Sequence, residues 1–107
     1  MSADRFNEGK LKWSLVSWRA LEPMVAVLMF GAQKYSGWNW VKGLTYTGIS
    51  ESLQRHLNAF MEGEDNDPES KLPHVGHILC NAMFLSYMSL FKKDMDDRYI
   101  DKNIKDG

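Results

Sequence analysis

One cysteine, Cys80, stands among 107 residues, which excludes an internal disulfide and a zinc site built from several thiolates. It fits a reducing compartment. Neither sign of charge dominates: 13 Lys and Arg stand against 14 Asp and Glu, a net charge of −1. With no global field to attract it, DNA is not expected as a stable partner. The most apolar run, residues 78–91, is too short and too interrupted by polar side chains to span a bilayer. The N-terminus opens on polar residues and lacks the pattern of a signal peptide. A glycine-rich phosphate loop, a Cys–His nucleophile pair, an H-E-x-x-H helix and a His-Asp dipeptide are all missing. The expectation is one soluble, cytoplasmic domain spanning residues 1–107.

Histidine is also scarce, but it is concentrated. All three, His56, His74 and His77, and five of the fourteen acidic residues fall between Arg55 and Asn81. Acids and imidazoles that converge across a helix–loop–helix suit a divalent metal or a polyphosphate. His56, Glu64, Asp67, His74, His77 and Asn81 form this first candidate set. Carboxylates take hard cations such as Mg²⁺, and imidazole extends the choice to Mn²⁺, Zn²⁺ or Fe²⁺. The plainer alternative is a buried polar network that ties two helices together.

Apolar spacing predicts an all-α fold, a small bundle of about four helices. The predicted helices cover residues 13–21, 22–35, 49–63 and 73–93. Pro23 belongs in a first turn, and Thr47 or Ser50 is expected to cap the third helix. Residues 1–12 and 94–107 read as a flexible N-terminal segment and a charged tail, and residues 41–47 as a possible extended piece. The last helix is apolar nearly all round from Gly76 to Phe91, more than a four-helix monomer of this size covers. A homodimer or higher homo-oligomer is therefore expected. On that helix His74, His77 and Asn81 share one face, which continues into Leu85 and Met88.

A second candidate set lies between Lys34 and Gly43. Trp38 or Trp40 could stack on a base, Asn39 could read a base edge or hold a phosphate, and Lys34 and Lys42 could hold phosphates. The alternative is that the aromatic rings plug the end of the bundle while the lysines stay solvated. Arg5 and Lys10 could reach over a phosphate-bearing ligand, or belong to an ordinary terminus.

Several strings resemble a phage and bacterial family, the dATP/dGTP diphosphohydrolase N-terminal-like proteins, related in helical build to MazG-type nucleotide pyrophosphohydrolases. They are Arg5-Phe6-Asn7-Glu8-Gly9-Lys10, Phe30-Gly31-Ala32-Gln33-Lys34-Tyr35, Asn39-Trp40-x-Lys42-Gly43, Arg55-His56-Leu57, the run from Gly63 to Ser70, His74-x-x-His77 with Asn81-Ala82, and Asp96-Asp97-Arg98. The resemblance implies metal-dependent cleavage of purine deoxynucleoside triphosphates to monophosphate and pyrophosphate, with Mg²⁺ or Mn²⁺, in a host cytoplasm if the gene is a phage's. On that reading Glu64, Asp67 and His77 are metal ligands, and His56, Glu64 and His77 are catalytic. Arg5, Lys10, Lys34, Asn39, Trp40, Lys42, Arg55 and Asn81 would bind substrate. The chain departs from the paired-carboxylate MazG pattern: Gln54 follows Glu51 by three, and His74, His77 and Asn81 stand where acids belong. This leaves open fewer metals, another metal, or a protein that sequesters nucleotide without cleaving it.

Overall fold

Pro23 sits in the first turn of α1 (Glu22–Lys34), where its missing N–H leaves no bond unmade. Thr45 is extended and its side chain accepts the Gly48 N–H, which starts α2 (Tyr46–Met61). The cap is thus two residues earlier than the nearer expected position. Thr47 has another partner: its backbone N–H and hydroxyl both donate to the Asp97 carboxylate, which faces the positive end of the helix. The third helix, α3, runs from His74 to Phe91. This computed structural model describes residues 3–104. Residues 1–2 and 105–107, the outer ends of the segments expected to be flexible, lie outside the described residues.

The fold is all-α, with three α-helices among the described residues rather than four. Residues 13–21 form two separate 3-10 turns, Trp13–Leu15 and Arg19–Leu21. Nine residues are too few to sustain an isolated helix. The Ser17 hydroxyl also accepts the Ala20 N–H and starts the second turn afresh. Trp13 and Trp18 stack with centroids 6.4 Å apart, and residues five apart do not share a helical face. The stretch 41–47 is not one extended piece either; only residues 43–45 lie outside helical turns. Val41 lies in a 3-10 turn, Asn39–Lys42, and Tyr46 already belongs to α2.

α3 lies between the other two helices and packs on both. Towards α1 the approach is close because Gly76 has no side chain. A Cβ there would run into the Pro23 carbonyl and lie 3.0 Å from Val27 Cγ2. One turn on, buried Cys80 donates its thiol to the Met24 carbonyl at 3.3 Å. Burial pushes that thiol up to about 11, so it serves as a small apolar residue. Towards α2 the core is Tyr46, Ile49 and Met88, closed at one end by Trp40 against Phe84 and Tyr87. The other end of the α2–α3 pair holds the histidines.

Candidate functional site

α2 stops in a way that places an acid. Gly63 takes φ +102°, its N–H bonds to the Phe60 carbonyl, and the Glu64 N–H reaches back to Ala59. This paired closure needs a residue that tolerates left-handed backbone, and it sets Glu64 just beyond the helix end. The following loop is held by its own backbone. Asp67 N–H bonds to the Leu72 carbonyl, Lys71 N–H to the Asp67 carbonyl, and His74 N–H to the Asp65 carbonyl, all within 2.9 Å. The Asp67 carboxylate accepts the Ser70 N–H at 2.8 Å, an Asx-type closure of the Asp67-Pro68 turn. His74 and His77 then enter on the first turn of α3, facing His56 from the last turns of α2.

The three imidazoles meet. His56 and His77 stack in parallel, centroids 4.3 Å apart with 3° between planes. His74, 2% exposed, bridges Glu64 and His56: Nε2 lies 2.6 Å from Glu64 Oε1 and Nδ1 lies 2.9 Å from His56 Nδ1. An ionised carboxylate only accepts, so His74 donates from Nε2 and a neutral ring offers its Nδ1 lone pair. His56 Nδ1 must then donate to it. The same 2.9 Å suits two adjacent ligands of one cation, which at ~2.1 Å bonds and right angles sit about 3 Å apart. Ligand atoms of His56, Asp67 and His74 lie within 4.8 Å of one another, a group able to hold a metal. Glu64 backs His74 as an orienting carboxylate commonly backs a ligating histidine.

The cleft around these groups has a volume of about 390 Å³. Phe30 and Ala59 give it an apolar wall, and Arg55, Glu69 and Ser70 complete its polar lining. Burial lowers the His56 pKa, with His77 adding repulsion, and burial likewise lowers that of His77. Burial alone would raise Asp67, but the bonds from Ser70 and the nearby imidazoles outweigh it and hold the carboxyl below its ordinary value. His56 and His77 are thus held neutral and Asp67 ionised near pH 7, the forms that bind metal.

A pH dependence follows. The two histidines bind protons more readily in the unfolded chain, where their pKa is ~6.5. Their neutral forms stabilise the fold fully above that value, and the contribution is lost as pH falls through the lowered folded values. Thermal unfolding should therefore be flat from pH 8 to 7 and decline below about 6.5. A melting temperature that rises between pH 6.5 and 5.5 would contradict this assignment.

The structure brings His56, Glu64, Asp67, His77 and Arg55 to one cleft. It places the other expected site residues elsewhere. Asn81 is buried, with its amide donating to Ser52 Oγ at 3.2 Å and to the His77 carbonyl at 3.0 Å. Lys34 stands at the rim, its ammonium 3.4 Å from Glu69 Oε1, and that bond raises its pKa. Trp40 is packed against Phe84 and Tyr87, so its ring belongs to the core. Arg5, Lys10, Asn39 and Lys42 do not line the cleft. Among the proposed ligands, His77 has its Nε2 engaged by Ser70 Oγ at 2.7 Å, and Glu64 Oε1 is engaged by His74. The sequence puts His74 in the first candidate set without a ligand or catalytic role, and it assigns none to Ser70 or Phe30. The Asp67-x-x-Ser70 spacing was the available signal for the serine; nothing local marked Phe30.

Comparison with known proteins adds a family. The family described as dATP/dGTP diphosphohydrolase, N-terminal, matches residues 2–98. A dATP/dGTP diphosphohydrolase of Salmonella phage PMBT28 is 32% identical over 98 residues, which is 92% of this chain and 33% of that protein. The chain therefore spans about a third of the length of this curated relative. No solved structure matches.

Proposed function

The chain belongs to the dATP/dGTP diphosphohydrolase N-terminal family, and on that premise we propose that its histidine-lined cleft is the site of metal-dependent hydrolysis of purine deoxynucleoside triphosphates. The observation that carries the reading is the convergence of His56, His74 and Asp67, backed by Glu64, beside Arg55. The donor set fits a divalent cation: two imidazole nitrogens and one carboxylate. It is richer in nitrogen than Mg²⁺ prefers, so Mn²⁺ is the better match. Bound there, the cation would supply charge neutralisation of the triphosphate and acidification of a water.

The chain's own groups do the rest. Glu64 holds the His74 ring in the orientation that presents Nδ1 to the cleft. Arg55, on the cleft wall, attracts the phosphates and steadies the charge of departing pyrophosphate. His77, neutral because it is desolvated, is fit to take a proton from attacking water. Phe30 and Ala59 offer the apolar surface a base needs.

A second reading, nucleotide binding without cleavage, has its own support. The chain spans a third of its relative, and it lacks the E-x-x-E pairing that a cage of several metals would require. One assay separates the two: purified protein, each deoxynucleoside triphosphate, Mn²⁺ or Mg²⁺, and identification of products. Monophosphate and pyrophosphate from a purine triphosphate are expected. Tight binding with no product under either metal would favour sequestration.

We also propose a homodimer. Trp13, Trp18, Met29, Leu90 and Phe91 are exposed, an unusual amount of large apolar surface for so small a chain. Light scattering should give twice the 12.4 kDa chain mass at micromolar concentration. The chain mass itself, unchanged across that range, would reject the dimer.

A further inference from the structure

His77 is the imidazole left over once His56, His74 and Asp67 are assigned to a cation. It is nevertheless held on two sides. Its ring face lies parallel on His56, and its Nε2 lies 2.7 Å from Ser70 Oγ. Ser70 is itself fixed twice over. Its backbone N–H donates to Asp67 Oδ2 at 2.8 Å, and its Oγ accepts the Leu72 N–H at 3.2 Å. One residue thus touches both the carboxylate of the cation set and the imidazole outside it, using different atoms for each. The backbone N–H serves Asp67, and the hydroxyl serves His77.

We propose that Ser70 is the positioning residue of the cleft, whose hydroxyl oxygen accepts from His77 Nε2–H and so fixes that imidazole in one ring rotation and one tautomer, with its free lone pair on Nδ1. This rests on the hydrolytic reading of the cleft for its consequence, though not for its geometry. Oγ has two lone pairs: one takes the Leu72 N–H and the other takes the His77 Nε2–H, which leaves Nδ1 free to accept a proton. A histidine's proton goes where its hydrogen-bond partners direct it, and a base that rotates or exchanges tautomers spends less time in the competent form. The division of labour between N–H and hydroxyl makes the role separable by substitution. Ser70→Ala removes the hydroxyl and keeps the N–H that Asp67 needs.

The test uses the full chain and its Ser70→Ala, Ser70→Thr and Ser70→Cys variants, with Mn²⁺ as metal probe and dATP or dGTP as substrate. Long-range proton–nitrogen NMR of the imidazoles should show one His77 tautomer in the wild type, protonated at Nε2, and a mixture in Ser70→Ala. Turnover in Ser70→Ala should fall about 10–100-fold in kcat, the usual cost of losing an orienting partner, with KM and Mn²⁺ affinity unchanged. Ser70→Thr, which keeps the hydroxyl, should recover most of the loss. Ser70→Cys, which keeps the volume with a weak acceptor, should behave like Ala and serves in its place if the Ala variant unfolds.

A wild-type His77 protonated at Nδ1, or a tautomer pattern indifferent to the hydroxyl, overturns the proposal. So does a parallel loss of Mn²⁺ affinity and kcat in Ser70→Ala, because Ser70 would then act through Asp67 and the turn. If the wild type cleaves no nucleotide, the hydrolytic reading fails, and the tautomer measurement still decides the role of Ser70.

Discussion

Replacing His74 by alanine should abolish Mn²⁺ binding and lower metal-dependent turnover by at least about 10³-fold, within the range known for loss of a central acid–base group. No other side chain in the cleft has both ring nitrogens committed at such short range, 2.6 Å to Glu64 and 2.9 Å to His56. Removing it leaves Glu64 with nothing to orient and His56 without its partner. The loss should exceed that of Glu64→Gln, for which about 10²-fold is expected, because the amide still occupies the position while surrendering the charge. Calorimetric titration with Mn²⁺ and circular dichroism of each variant separate a lost site from a lost fold. Should His74→Ala bind Mn²⁺ as the wild type does, the cation set of His56, His74 and Asp67 is wrong. Equal turnover in Glu64→Gln and wild type would remove Glu64 from the site.

The largest effect on stability should come from Gly76→Ala. Alanine normally favours a helix interior over glycine by about 1 kcal/mol. Here the added methyl meets the Pro23 carbonyl, which is backbone in the first turn of α1 and has no rotamer to move to. Relief requires α1 and α3 to separate, which also stretches the Cys80–Met24 bond one turn further on. A net loss of about 3 kcal/mol is expected, at the upper end for overpacking. For a domain of this size it would lower the melting temperature on the order of 15 °C. A melting temperature within 2 °C of wild type, about the scale of a neutral surface change, would mean that the α1–α3 contact is looser than described. The stability effect carries to function, because the same helix delivers His74 and His77.

Apolar pattern was enough to locate α1, α2 and α3 within a few residues: α1 and α2 carry an apolar stripe with a glycine after the last turn, and α3 is a long apolar run that starts after Pro73 and ends where the lysines begin. It failed at residues 13–21, where the apolar content is high but the tryptophans stack across a distance that no helix face offers. It also failed to choose the cap of α2, since Thr45, Thr47 and Ser50 are chemically equivalent in sequence. Only the chain beyond Lys93 distinguishes them, by bringing Asp97 to Thr47.

For the site, the sequence by itself determined the ingredients: three histidines and their acids on two helices and one short loop, with Gly63 and Asp67-Pro68 dictating where that loop turns. Tertiary structure decided the roles. The helical face of α3 predicts that His74 and His77 point alike, but which nitrogen each presents depends on what stands opposite. Glu64 and His56 stand opposite His74, and Ser70 stands opposite His77. For the same reason the alternatives left open for Trp40 were settled in favour of packing, while Phe30, for which the sequence offers no place, lines the cleft. Both are aromatic rings beside a helix end, and only packing against Phe84 and Tyr87 put one in the core while the other was left on the cleft wall. Hydrogen-bond direction and ring burial are properties of pairs, and a pair exists only once the helices have packed.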